Sequence, residues 1–227
     1  MDGADAARIR GRRVWLRALE GSDLPAYKRA INSVEVGSWA GYPWPHSDAT
    51  VERWFEEVRE HHGQGQYWFA ISPLGRDDFI GTVWLWSKGD RLDGLELSIL
   101  VTEEAGLGNG IGSDAIDAAL DFIFGSYETE RVWLTTESEN VRAVRAFEKS
   151  GFRVDGTVRH HFRRAGEWRD SALMAITRED WQALDRPRSW DLVHAETGRC
   201  WGSCRRQHVA GSSARRQVDR PSSRTSP

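Results

Sequence analysis

Gly106-Leu107-Gly108-Asn109-Gly110-Ile111-Gly112 carries four glycines, following a strand-like run at 95–101 and entering a helix-like run at 111–124. Glycines at a helix mouth let the backbone approach an anion, and the unpaired N–H groups with the positive dipole end attract it. The stretch through Ser113 therefore predicts a phosphate cradle. Two other glycine motifs fit less well. Gly110-x-Gly112-x-x-Ala115 formally satisfies a dinucleotide fingerprint, but that fingerprint opens a doubly wound sheet, and antiparallel hairpins are expected on both sides of this unit. A kinase-type P-loop needs Gly-Lys-Ser/Thr, which does not follow.

The elements that must position this loop are legible from periodicity. Residues 13–19 alternate as a strand, Ser22 and Asp23 open a helix running to about 31, and 39–45 form an aromatic, proline-broken loop. Ser47 and Asp48 cap a second helix with Val51, Trp54, Phe55 and Val58 on one face. Residues 67–72 and 79–87 read as an antiparallel hairpin. After the central strand and the glycine-opened helix come a strand at 131–137, a helix at 140–150 stopped by Gly151, and a hairpin of 153–162 and 168–177 around Gly166. A strand joined through a helix to the next strand lies parallel to it with a right-handed crossover. The expectation is a mixed α/β fold with a central sheet of about seven strands, antiparallel at the start, parallel in the middle and flanked by helices.

Composition narrows the function classes. The 227 residues, 39% hydrophobic, suit one well-filled soluble core, with the boundary of a domain at 1–185 and an Arg/Ser-rich, disordered tail at 186–227. No apolar run approaches membrane-spanning length and the first residues lack a signal-peptide centre, so a cytoplasmic protein is expected. The net charge of −3 conceals nine arginines against Asp191, Glu196 and Asp219 from residue 186 onward, which by difference leaves the body near −9. An acidic body argues against nucleic acid and suits an amine-bearing partner. Cys200 and Cys204 cannot staple the body, and with His194 and His208 they match no strong zinc spacing, so no metal is expected.

Asn140-Val-Arg-Ala-Val-Arg-Ala-Phe-Glu-Lys-Ser-Gly-Phe152, the glycine loop and the order of elements together resemble the GNAT N-acetyltransferase superfamily, and within it the RimJ/RimL group, over residues 8–182. That resemblance implies acetyl-CoA as donor and a primary amine as acceptor, with the two central parallel strands splayed. It assigns the pyrophosphate to Leu107, Gly108, Asn109, Gly110, Ile111, Gly112 and Ser113. The pantetheine arm would pair as an added strand with Ser98, Ile99, Leu100 and Val101. Asn140, Arg142 and Phe147 are implied as further cofactor contacts. A homodimer is compatible with this reading.

An alkyl amine of ordinary pKa about 10.4 must lose a proton before it attacks, which calls for a carboxylate. Glu96 on the central strand is the first candidate, acting directly or through water, and Glu137 the second. Two departures from the family pattern stand out. Leu107 occupies the position where a Gln or Arg begins the loop, and Phe147 the position of a tyrosine that protonates the leaving thiolate. Water or Ser138 would have to substitute, or the thiol, of ordinary pKa about 8.5, leaves unassisted. A non-catalytic acyl-CoA-binding protein is the alternative. Trp39, Tyr42 and Trp44 would wall the acceptor cleft, since aromatic faces attract cations. Of His160 and His161, alternation turns only one inward, and His161 is the one assigned to the acceptor.

Overall fold

The computed structural model describes residues 8–39, 45–87, 94–102 and 108–197. Eight strands form one sheet in the order β1-β2-β3-β4-β5-β6-β8-β7. The antiparallel first half comprises β1 (Ile9–Arg10), β2 (Val14–Ala18), β3 (Gln66–Pro73), β4 (Gly81–Trp86) and β5 (Gly94–Val101). β5 then runs parallel to β6 (Arg131–Glu137), and the hairpin of β7 (Arg153–Arg164) and β8 (Glu167–Thr177) closes the far edge. The sequence reading anticipated each strand except β1, whose two residues are too few to show an alternation.

Alternation along the strands sorts the apolar residues onto two faces. Leu95 and Leu97 of β5 join Val132 and Leu134 of β6 under α4 (Ile111–Ser126) and α5 (Val141–Lys149). Leu100, Trp68 and Ala70 face the opposite layer of α1 (Leu24–Ile31), α2 (Val34–Trp39) and α3 (Asp48–His61). Ser47 caps α3 by accepting the Thr50 N–H at 3.2 Å, as its position before the apolar face implied. Gly151, at φ 94°, ends α5 where a side chain would be strained and would press on Ile176 and Leu184.

α4 is buried nearly all round, and its outer line carries three acids, Asp114, Asp117 and Asp121, each at most 6% exposed. Both ends of the described chain cover them. Asp114 accepts the backbone N–H groups of Arg12, Arg13 and Val14 at 2.7–3.2 Å, and Arg12 reaches Asp117 at 2.7 Å. After α6 (Arg178–Ala183), Arg186 lies on Asp121 at 2.8 Å and α7 (Ser189–Thr197) follows. Trp190 of α7 seats so tightly that a Cβ on Gly125 would meet its ring at 2.7 Å.

Residues 186–197, past the boundary expected near 186, include α7, and Arg186 and Ser189 bind the buried Asp121 of α4. Cys200, Cys204 and His208 lie outside the described residues, as do Tyr42, Trp44 and Leu107. Among the described residues, no helix is long and apolar enough to cross a membrane.

Candidate active site

The sheet opens at its centre. β5 and β6 pair only at Gly94 with Arg131, Leu95 with Val132 and Glu96 with Trp133. Beyond that point β5 stays paired with β4 up to Val101, and β6 stays paired with β8 up to Glu137. The two strands thus diverge into a wedge, with one edge of residues 97–101 left without a β6 partner. Gly81 helps hold β5 on the β4 side, because a Cβ there would stand 2.3 Å from the Leu100 carbonyl oxygen. An unpaired strand edge inside a sheet offers N–H and C=O groups to an extended amide chain.

At the mouth of the wedge the first turn of α4 packs against the last turns of α5. Ser113 Oγ donates to the Ala146 carbonyl and Ser150 Oγ to the Ser113 carbonyl, both at 3.3 Å, which ties α4 to α5. Gly110 is the N-cap of α4 in the left-handed conformation, φ 78°, with no side-chain cap, and Gly108 precedes it at φ 94°. The N–H groups of Ile111, Gly112 and Ser113 are first-turn donors with no intrahelical acceptor and are directed at the mouth. Gly112 lies against Val101, where an added Cβ would stand 3.8 Å from the valine methyl.

The other residues assigned to the cofactor separate into distinct environments. Ser98, Ile99 and Val101 are half-buried on the wedge edge, whereas Leu100 turns into the α1–α3 core. Asn140 caps α5, its Oδ1 accepting the Ala143 N–H at 3.1 Å, so its amide nitrogen is the end that can serve a ligand. Arg142 is exposed on the first turn of α5. Phe147 is a core residue, 6% exposed and edge-on to Phe152 at 5.6 Å.

Glu96 and Glu137 both point to the α1–α3 face, by the alternation that sends Leu95, Leu97, Val132 and Leu134 the other way. Glu96 sits at the closed end of the wedge, half-buried, in the last register pair before the strands part. Glu137 stands at the open end with a side chain 3% exposed, held by Arg164 at 2.8 Å. Directly across the β6–β8 register from Glu137 is buried Ser171, whose Oγ lies 2.9 Å from His161 Nδ1. An irregularity between Val158 and Phe162 brings His161 to that position. Ser138 is exposed in the turn after β6, its backbone N–H donating to the Asp170 carbonyl.

Trp39 ends α2 beside this group, but its ring is covered by the guanidinium of Arg164, 3.8 Å from the ring centroid. Arg164 was not singled out from sequence, because nothing in a strand-end arginine near a glycine turn announces a buried partner. Behind the cleft, Trp68 stacks on Trp84 at 4.5 Å and Tyr27 on Trp54 at 4.3 Å, a packed aromatic layer of the core.

Known proteins resemble this chain in sequence and fold. Residues 13–153 match the family described as the acetyltransferase (GNAT) domain. The spermidine N(1)-acetyltransferase of Escherichia coli K12 is 27% identical over 171 residues, spanning 75% of this chain and 89% of that protein. The crystal structure of spermidine N-acetyltransferase from Vibrio cholerae in complex with CoA and spermine superposes with a TM-score of 0.66 at 25% identity, covering 74% of this chain and 98% of that one. A GNAT-family acetyltransferase from Bacillus anthracis shares the fold at a TM-score of 0.65 and 21% identity, over 76% of this chain and 99% of its own. With its wedge and its glycine-opened helix, the chain belongs to the GNAT acetyltransferase family and is an N-acetyltransferase.

Proposed function

We propose that this enzyme moves the acetyl group of acetyl-CoA to a primary amine of a small cationic acceptor of the polyamine class, by direct attack. The observation that carries the proposal is the wedge between β5 and β6 with the first turn of α4 at its mouth. The diphosphate is assigned to the N–H groups of residues 108–113 and the arm to the open edge of residues 98–101. This points the thioester toward the closed end, where Glu96 stands. Relatives named for spermidine and the acidic body of the chain both favour a polycationic acceptor over a ribosomal-protein terminus.

The chemistry follows from that placement. Glu96 accepts the proton of the acceptor ammonium, directly or through water, and the freed amine attacks the thioester carbon. Backbone N–H groups of the β5 edge receive the developing oxyanion. When the tetrahedral intermediate collapses, the new C–N bond is kept, the nitrogen gives up its second proton to solvent, the C–S bond breaks and CoA departs as thiolate. Phe147 has no proton to give, so the thiolate takes its proton from solvent.

Release of free thiol from acetyl-CoA, measured over a panel of spermidine, an aminoglycoside and a free peptide N-terminus with products weighed by mass spectrometry, tests the proposal. Spermidine is expected to give turnover. Glu96→Gln is expected to abolish it while leaving CoA affinity intact; unchanged turnover removes Glu96 from the mechanism, and no thiol release with any amine overturns the assignment.

A further inference from the structure

Three side chains from distant elements meet at the open end of the wedge on the acceptor face. Glu137 ends β6, Arg164 ends β7 and Trp39 ends α2. We propose that Arg164 is a positioning residue for the acceptor: clamped between Glu137 Oε1 and the ring of Trp39, it fixes Glu137 so that Oε2 receives a second ammonium of the polyamine, apart from the one that Glu96 deprotonates. This inference rests on the acetyltransfer reading above and adds to it the group that docks the acceptor.

The argument starts from an unsatisfied atom. Glu137 is 3% exposed, Oε1 accepts from Arg164 Nη2 at 2.8 Å, and Oε2 is buried with no hydrogen-bond partner among the described residues. A buried carboxylate oxygen lacking a donor is costly, and it is tolerated where a donor arrives with a ligand. An ammonium brings three such donors and a complementary charge. Arginine suits the clamp because its planar fork can bond to a carboxylate in the plane while its face lies on an aromatic ring. Both contacts are present, at 2.8 Å to Glu137 and 3.8 Å to the Trp39 centroid. Buried Ser171 lies directly across the β6–β8 register from Glu137, and the exposed His161 reaches its Oγ at 2.9 Å.

The clamp also changes the part expected of Trp39. An indole face that already carries the chain's own cation is not offered to a second one. Trp39 acts through Arg164, and the second ammonium of the acceptor goes to the carboxylate.

The test compares wild type, Arg164→Gln, Arg164→Lys, Trp39→Leu and the Arg164→Gln/Trp39→Leu pair, using whichever amine of the panel above releases thiol fastest. KM is measured for amine and for acetyl-CoA, and the same amine is titrated by calorimetry into CoA-saturated enzyme. Arg164→Gln is expected to raise the amine KM and Kd by about tenfold or more, with the acetyl-CoA KM within about twofold of wild type. Trp39→Leu is expected to do part of the same, and the pair to be no worse than Arg164→Gln alone. Lysine, unable to stack and bridge at once, is expected not to rescue. An unchanged amine KM, equal losses for both substrates, or additive effects in the pair overturn the inference while turnover by wild type stands. Should Arg164→Gln not fold, Arg164→Lys and Trp39→Leu decide by the same split. If no amine is turned over by wild type, both readings fall together.

Discussion

Removing the carboxylate of Asp121 should be the most damaging single change outside the cleft. This side chain, 2% exposed on α4, accepts Trp181 Nε1 at 3.0 Å, both terminal nitrogens of Arg186 at 2.8 and 2.9 Å, and Ser189 N and Oγ at 2.8 and 3.3 Å. Arg188 stands 3.8 Å away, and its guanidinium is pulled below its ordinary value by burial first and by Arg186 next. Asp121→Ala leaves two arginines, each about 12% exposed, facing one another without their nearest anion, with Asp117 3.7 Å from Arg186 as the remaining counter-charge. Breaking a buried ion pair from one side costs about 3–5 kcal/mol, which for a domain of this size lowers Tm by roughly 6–20 °C. Thermal melts and urea titrations followed by circular dichroism read it directly. Asp121→Asn, which keeps the shape and half the acceptors, should fall between. A Tm for Asp121→Ala within about 2 °C of wild type would refute the view that this carboxylate holds residues 181–189 on the core.

Two smaller predictions follow from backbone and protonation chemistry. Gly110→Ala places a Cβ at φ 78°, a strain of about 1–2 kcal/mol that the loop relieves by moving, so the CoA Kd measured by calorimetry should rise about tenfold. An unaltered Kd would detach the loop from the diphosphate. His62 is held below its ordinary 6.5 by burial, and its Nδ1 accepts the Trp68 N–H at 3.3 Å, which needs the unprotonated ring. Below about pH 6.5 the unfolded chain takes up the proton first, so this contribution is complete above that value and drains away as pH falls. His62→Gln should flatten the decline of Tm between about pH 7 and 5, and a slope identical to wild type would disprove it.

Local chemistry was legible where it depends on neighbours in sequence. The alternation of residues 131–137 matched β6 residue for residue, Ser47 and Gly151 marked helix ends, and the four glycines of 106–112 pointed to the helix mouth later found beside the wedge. The splay itself was available only through the family resemblance, because the point at which two parallel strands part is set by what each pairs with on its other side. α2 went unread because Val34, Val36 and Gly37 are poor helix formers. α7 and the Glu137–Arg164–Trp39 clamp escaped for a related reason. Their partners lie far along the chain, with Ser189 68 residues from Asp121 and Arg164 27 from Glu137, and no periodicity reports such a meeting.

The acid line of α4 also sets an order on the birth of the molecule. Its helix emerges from the ribosome after residues 12–14, which can dock on Asp114 at once, but before residues 181–189, which Asp121 awaits. Until that last segment is synthesised, the helix at the heart of the protein keeps an ionised aspartate in water and an apolar flank open to chaperones. Translation must therefore reach the start of α7 before the central helix can be sealed.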